Sequence, residues 1–362
     1  MPSSGFFNSA KNFFREDSYL AVDIGTASVK IVELGSSKGK PLLKNYALLE
    51  TSGHLERLND AIQTSSLKIV DKETVGLVKV LLKEMKTKAK SVIASLPAFS
   101  AFTALLDIPV MSTKEISQAL QYQAGNFVPL PLTEVTIDWL RVKEFEDEKG
   151  VKKQRLFLVA VPNEQIKRYQ IIFILAGLNV QVLEIETLSL ARILTRDDPT
   201  TTLIVDIGAR STAIAIAGGG FLKYNSQTDF AGGFLTQAIS NGLGINIRRA
   251  EELKRRRGLL GTGGEYEIST LMIPYLDVIL GEVRRVKNLY EKNYQEKVER
   301  VILAGGGANL LGLEKYVADE FKLPALKASP FSKFGYSPVM TPLVGSLGAP
   351  LAVSIGLGIR QI

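Results

Sequence analysis

The chain has 362 residues, 46% of them hydrophobic and 22% charged, with a formal net charge of +7. That is the composition of a folded globular protein long enough for two domains or more. With no cysteine and one histidine, His54 in the polar stretch TSGHLERLND, the chain excludes disulfides, thiolate sites, His-based triads and His-rich metal sites. No stretch reads as the ~20 apolar residues of a bilayer-spanning helix. The nearest, residues 171–183, includes Asn179 and Gln181 and reads as a buried helix followed by a strand. The densest basic run, Lys254-Arg255-Arg256-Arg257 just after Arg248 and Arg249, has no interleaved aromatics. It reads as a solvated helix face rather than a nucleic-acid surface.

Residues 1–17 are a leader in which Phe6, Phe7, Ala10, Phe13 and Phe14 share one helical face, with Lys11 and Arg15 off it. It reads either as a segment packed on the core or as a short membrane-surface or partner-binding helix. YLAVDIGTASVKIVEL, residues 19–34, gives an apolar strand, a tight turn opening on Asp-Ile-Gly, and a second strand. PLLKNYALLE alternates as a third strand after the turn GSSKGK. Asp71 is placed to cap a helix over 72–86, in which Val75, Val78, Leu81, Leu82 and Met85 have helical spacing. SVIASLP, 91–97, is a strand stopped by Pro97, so the start runs β-β-β-α-β, as in a ribonuclease-H-like domain.

Residues 98–160 read as an insertion of α+β order with no phosphate-type loop. FTALLDIP is a strand, and Ser112 and Glu115 have capping-box spacing for a helix to about Phe127. VTIDWLRVKEF and RLFLVAV are strands joined by the charged loop EDEKGVKKQ, and GNFVPLPL, 125–132, is an exposed-looking apolar stretch punctuated by proline. A helix over 163–176, the strand VQVLEIE, a helix over 187–194 and the polar linker TRDDPTT follow. TLIVDIGARSTAIAI, 202–216, then repeats the strand, Asp-x-Gly turn and strand of the chain's start. KYNSQTDFAGG is a further strand and turn, 234–245 a helix ending at glycine, and 248–257 a basic helix. GLLGTGGEYE has no strand before it and reads as an exposed excursion, and 268–295 as a long amphipathic helix pair. VERVILAGGGANLLGLEKYVADEF is strand, glycine turn and helix, and TPLVGSLGAPLAVSIGLGIR a small-residue helix.

Three turns carry chemistry. Asp23-Ile24-Gly25-Thr26 sets a carboxylate at a strand end beside a glycine that lets backbone N–H groups approach phosphate oxygens. Lys30, across the hairpin, can return beside the phosphates, and Asp206-Ile207-Gly208 would oppose it from the other half. Two carboxylates there suit a hydrated Mg2+, which prefers few carboxylates plus water and phosphate oxygens. Gly305-Gly306-Gly307 follows the strand VILA and opens a helix, which suits close backbone approach to an anion or a ribose. Neither GxGxxG nor GxxxxGK[ST] occurs, which excludes Rossmann dehydrogenases and P-loop NTPases.

In this order the turns resemble those of the superfamily of actin, hexokinase and heat-shock chaperone ATPases, and within it the FtsA and PilM families. YLAVDIGTASVKIVEL is similar to the first phosphate motif, TTLIVDIGARSTAIAI to the second and ILAGGGANLLGLEKYV to the adenosine motif. AEELKRRRG, 250–258, resembles the AExxK helix, and GAPLAVSIGLGIR the terminal connecting helix. The resemblance implies an α/β actin-like ATPase fold, with two ribonuclease-H-like domains around a nucleotide cleft and an inserted small α+β domain. The expected division is a leader over 1–17, a first domain over 18–97 completed by 161–200 and 341–362, the insert over 98–160, and a second domain over 201–340. It implies ATP or ADP with Mg2+ as ligands. Asp23 and Asp206 would position Mg2+ through water, and Gly25, Thr26, Lys30, Gly208 and Ser211 would line the phosphates. Glu251 would contact ribose and Lys254 adenine, and Gly305, Gly306 and Gly307 would let adenosine lie on the backbone. Glu186, in LEIETLSLAR, would orient a hydrolytic water.

Ala209 and Arg210 replace the double glycine of FtsA-like second phosphate loops, and Ala213 replaces an acidic residue. These departures count against rapid hydrolysis. Arg210 either meets a phosphate or points away from the cleft. The expected function is an ATP-binding scaffold of type IV pilus or related secretion machinery, cytoplasmic and peripheral to the inner membrane. Its expected partner is the cytoplasmic N-terminus of a PilN-like inner-membrane protein, held in a groove between core and insert. Other proteins of that complex, the assembly ATPase and self-association are further contacts; nucleic acid is not one. The alternatives are a filament-forming division protein like FtsA and an active ATPase or sugar kinase of the same superfamily. The chain's end at Gln361-Ile362 and the lack of a motif for a sugar-pocket base count against them.

Overall fold

The computed structural model describes residues 18–37, 40–51, 67–260, 266–333 and 335–361. The leader, His54, the tip of the GSSKGK turn and residues 261–265 of the glycine-rich loop lie outside the described residues. In chain order the first elements are β1 (Ser18–Ile24), β2 (Ser28–Ser37), β3 (Lys40–Glu50), α1 (Leu67–Met85) and β4 (Ser91–Leu96). The insertion follows as β5 (Phe102–Pro109), α2 (Thr113–Gln123), β6 (Val135–Glu146) and β7 (Lys152–Pro162). Next come α3 (Asn163–Leu175), β8 (Asn179–Ile185) and α4 (Glu186–Thr195). The remainder is β9 (Thr202–Ile207), β10 (Thr212–Gly218), β11 (Phe221–Thr228), α5 (Gly232–Leu243), α6 (Ile247–Arg257), α7 (Tyr266–Tyr294), β12 (Arg300–Ala304), α8 (Leu313–Phe321), β13 (Ala325–Lys327) and α9 (Val344–Gly358).

One five-stranded pattern is used twice. The first sheet runs β3-β2-β1-β4-β8 and the second β11-β10-β9-β12-β13. In each, three antiparallel strands joined by short turns continue into two parallel strands reached through helices. The central strands read as continuous apolar runs because both faces are covered: Leu20, Ala21 and Val22, like Leu203, Ile204 and Val205, are fully buried. This is the α/β fold with two ribonuclease-H-like halves, and an antiparallel sheet β5-β7-β6 interrupts the first half. That third sheet has its own core of Leu106, Ile108, Ile116, Leu120, Leu156 and Leu158. The Ser112/Glu115 capping box at α2 is present. In the stretch 125–132 Phe127 is exposed, but Val128 is buried against Val135 and Ala160.

The halves are tied by α9, which packs on α4, β1, β2 and β4 of the first half and on β12 and the turn after it of the second. Its glycines permit that approach: a Cβ at Gly356 would stand 2.3 Å from the Ser189 carbonyl oxygen, and one at Gly358 1.6 Å from Leu34. The Tyr19 hydroxyl donates to the Gly358 carbonyl. Residues 338–358, with a mean hydropathy of 1.5, are long and apolar enough to cross a bilayer, which corrects the expectation that no such stretch exists. Its hydrophobicity serves the interior here, since Leu351 to Gly358 are all buried.

Four other expectations are corrected. Helix α1 begins at Leu67, so Asp71 lies inside it and does not cap it; an interior Asp costs well under about 1 kcal/mol. The expected helix pair over 268–295 is one helix, α7, which carries Pro274 within it. One buried stripe, Ile268, Met272, Leu276, Ile279, Val283, Val286 and Tyr290, runs its length and holds it together. The glycine turn after β12 enters a 3-10 turn, Gly306–Asn309, and α8 starts only at Leu313, so no α-helix N-terminus opens on that turn. Finally, α3 is not buried throughout: Ile171, Ile174 and Leu175 face outward.

Candidate functional site

The two Asp-x-Gly turns are built alike. In each, the glycine N–H donates to the carbonyl of the serine three residues on: Gly25 to Ser28 at 2.9 Å and Gly208 to Ser211 at 3.0 Å. The turns end the paired strands β1–β2 and β9–β10, so Asp23 stands opposite Lys30 and Asp206 opposite Ala213. The third turn leaves β12 beside β9, with Ala304 in register with Asp206. Gly305 has φ +76°, and a Cβ there would lie 2.2 Å from Asp206 Oδ1; at Gly306 a Cβ would meet nothing within 4 Å. All three turns open on one cleft of about 690 Å3, within the roughly 300–1,000 Å3 range of small-molecule sites.

The cleft floor is short of positive charge. Asp23 is buried, accepts from Ser95 Oγ at 2.7 Å through Oδ1, and is ion-paired to Lys30 Nζ at 2.7 Å through Oδ2. Burial pulls the Lys30 ammonium down, but Asp23, with Asp206 and Glu186, outweighs it and the net shift is upward. Because Ala213 occupies the place equivalent to Lys30, one ammonium serves Asp23, Asp206 and Glu186 together. Desolvation, opposed by Lys30 and reinforced by Asp23, pushes the Asp206 carboxyl up to about 6. Desolvation and the charges of Asp206 and Asp23 push Glu186 up to about 8. Glu186 opens α4 and accepts from the Ala98 N–H at 3.1 Å. Among the described residues no three such side chains stand close enough to cage a metal by themselves.

The opposite wall is α6 against the start of α5. Asn246 caps α6 and Ala250 anchors it, which turns Glu251 and Lys254 into the cleft. Lys254 Nζ meets Glu251 at 2.7 Å, Thr236 Oγ1 at 2.7 Å and the Gly232 carbonyl at 3.1 Å. Burial pulls the Lys254 ammonium down against the pull of Glu251. Burial also raises Glu251, yet Lys254, Thr236 and Arg255 overcome that and hold it at about 2. Arg255 spans the mouth, joining Glu251 at 2.7 Å to Glu50 of β3, in the other half, at 2.8 Å.

Every residue that the resemblance assigns to the nucleotide site lines this one cleft. From the first half come Asp23, Gly25, Thr26, Lys30 and Glu186; from the second come Asp206, Gly208, Ser211, Glu251, Lys254, Gly305, Gly306 and Gly307. Ala209 lines it too, whereas Arg210 does not. Sequence reasoning missed Ser95, Thr236 and the Arg255–Glu50 bridge, whose roles depend on contacts far apart in the chain. It also missed Gly232 and Gly233, whose N–H groups donate to the Gly208 and Ala209 carbonyls at 3.0 and 2.8 Å. The Gly-Gly pair at a helix start was the available signal. The basic run divides: Arg249 and Arg255 are more than half exposed, while the Lys254 side chain is enclosed.

A solved PilM–PilN type IV pilus biogenesis complex contains a chain that superposes with TM-score 0.81 at 24% identity, covering 96% of this chain and 99% of that one. The ethanolamine utilization protein EutJ from Carboxydothermus hydrogenoformans matches with TM-score 0.57 and 16% identity over 95% of this chain and 90% of its own. MreB5 of Spiroplasma citri follows with 0.50 and 15% over 95% and 96%. These likenesses establish the actin-like ATPase fold. The model of the family described as type IV pilus assembly protein PilM matches residues 21–362, and the chain belongs to that family.

Proposed function

We propose that this chain binds ATP or ADP with Mg2+ in the cleft and acts as a nucleotide-dependent scaffold of type IV pilus or related secretion machinery. The observation that carries the reading is the convergence of two like Asp-x-Gly hairpins and a glycine turn on one cleft that has an open backbone surface at Gly306. Gly25, Thr26, Lys30, Gly208 and Ser211 line the phosphates, with the Gly25 and Gly208 N–H groups spent on closing their own turns. Glu251 and Lys254 take the ribose and adenine, with adenosine resting along Gly305 to Gly307. The residues fit Mg2+: Asp23, Asp206 and Glu186 outnumber their single ammonium, and Asp23 and Asp206 would hold the ion through water. When bound, that ion supplies the missing positive charge beside the phosphates. Glu186 orients the water of any hydrolysis, which is slow. The MreB5 relative was solved bound to AMPPNP.

The partner in this reading is the cytoplasmic N-terminus of a PilN-like inner-membrane protein, docked between the insert and the core. It places the chain at the cytoplasmic face of the inner membrane, in contact with other proteins of the pilus complex. The PilM relative was solved as a complex with PilN, which supports that choice. Pull-down with N-terminal peptides of candidate inner-membrane partners, with and without Mg-ATP, tests it. Capture that changes with nucleotide is the expected result; no capture in either state, together with turnover of many ATP per second, overturns the scaffold reading.

A further inference from the structure

The end of the first half remote from the cleft combines features that neither the cleft nor the insert uses. Helices α1 and α3 lie side by side, and each leads into a parallel strand of the same sheet, so their C-terminal turns share one end of the molecule. Ile171, Ile174 and Leu175 on the last turns of α3 are 56%, 69% and 57% exposed, and Val80 on α1 is 50% exposed. The spacing of the three α3 residues, i, i+3 and i+4, makes one continuous stripe. Buried Ile166, Tyr169, Ile172 and Phe173 hold the opposite face of α3 against the core, so the stripe is fixed outward.

Lysines cluster on the α1 side of this stripe. Lys79, Lys83, Lys86, Lys88 and Lys90 are all exposed, and over residues 79–90 and 171–179 Glu84 is the one carboxylate. Among the described residues none of these lysines lies within ion-pair distance of an acid. The loop that carries three of them is locked to the end of α3, because the Asn179 N–H donates to the Lys90 carbonyl at 2.8 Å. β1 starts at this end as well: Leu20 pairs with Val92 in parallel, which sets Ser18 level with Lys90. Asp23 ends the same strand at the cleft, so the basic apolar end and the nucleotide cleft lie at opposite ends of β1.

From this juxtaposition we propose that the last turns of α1 and α3, with the lysine loop 86–90, form a docking face for an anionic phospholipid bilayer. Exposed aliphatic side chains flanked by unpaired lysines match an interface that is apolar just below a layer of negative headgroups. A protein partner of ordinary composition needs no such one-sided charge, which favours lipid. Seated this way, the protein presents its cleft away from the membrane. The proposal is independent of nucleotide binding.

Co-sedimentation of the full chain with vesicles tests it. The chain is expected to bind vesicles containing about one-third phosphatidylglycerol, to ignore pure phosphatidylcholine, and to be released by 0.5 M salt, an order-of-magnitude choice that shortens the screening length to about 4 Å. The triple variant Lys86→Gln, Lys88→Gln, Lys90→Gln should bind about a hundredfold more weakly, at roughly a factor of five for each lysine lost. The pair Ile174→Ser, Leu175→Ser should lose binding at least about tenfold. Unchanged thermal unfolding of both variants shows that they are folded. The proposal is overturned by equal binding to neutral vesicles, by no binding to anionic ones, or by retention of both variants. It is equally overturned if both variants bind and removal of residues 2–17 abolishes binding, which assigns the membrane contact to the leader.

Discussion

Gly306→Val separates the cleft reading from a merely structural glycine turn. At Gly306 an ideal Cβ meets nothing within 4 Å, and the residue is exposed on the cleft side. Valine there adds three carbons to open space, so the folding cost is under about 1 kcal/mol and the thermal midpoint should stay within about 2 °C. If adenosine rests on this backbone at the ~3.5–4 Å of ordinary contact, a Cβ projecting about 1.5 Å displaces it and its neighbouring interactions. Affinity for Mg-ATP should then fall at least about a hundredfold, or roughly 2.7 kcal/mol. Gly305→Ala is the contrasting control. Its φ of +76° and the 2.2 Å approach to Asp206 Oδ1 give it both strain and a clash, about 2–4 kcal/mol together, and a midpoint lower by roughly 4–8 °C. Calorimetric titration and scanning fluorimetry read the two quantities. If Gly306→Val binds Mg-ATP as tightly as the parent, adenosine does not lie on this turn and the reasoning is refuted.

Three more outcomes follow from the same geometry. Lys30→Ala leaves the buried Asp23 carboxylate with Ser95 as its remaining side-chain donor, so urea unfolding should show a loss of about 3 kcal/mol and nucleotide binding a loss of tenfold or more; an unchanged midpoint contradicts this. Glu251 is held at about 2 against an ordinary 4.5, so it stabilises the folded chain above about pH 4.5 and that stability drains away as pH falls towards 2. Glu251→Gln should therefore cost about 1–2 kcal/mol near pH 7 after discounting for solvent, and the deficit should shrink steadily below pH 4.5; a deficit independent of pH sinks the assignment. Arg255→Ala removes an exposed bridge between the halves and should change stability by less than about 0.5 kcal/mol, yet speed nucleotide release in stopped-flow measurements. An unchanged release rate shows that the bridge does not hold the mouth closed.

The parts that were legible in the sequence are those set by local rules. The Asp-x-Gly turns stood out because each joins two apolar strands and needs its glycine for a close backbone turn, and the hairpin register then puts Lys30 opposite Asp23. The pairing of Glu251 with Lys254 followed from their i, i+3 spacing on α6. What escaped was long-range. Ser95 reaches Asp23 because β4 runs parallel beside β1, and Glu50 reaches Arg255 only because the two halves face each other. Helix α7 departs from the expected pair because the buried stripe that carries one helix past Pro274 belongs to the tertiary fold. Residues 338–358 are ambiguous in principle, since a core helix and a membrane helix have the same composition and burial alone distinguishes them.

The most direct test of the central claim is calorimetric titration of the purified chain with Mg-ATP and Mg-ADP, repeated for Asp23→Ala. Saturable binding of one nucleotide per chain, weakened at least about tenfold by Asp23→Ala without loss of folding, is the predicted result. No saturation at millimolar nucleotide, or binding indifferent to the loss of Asp23, contradicts it.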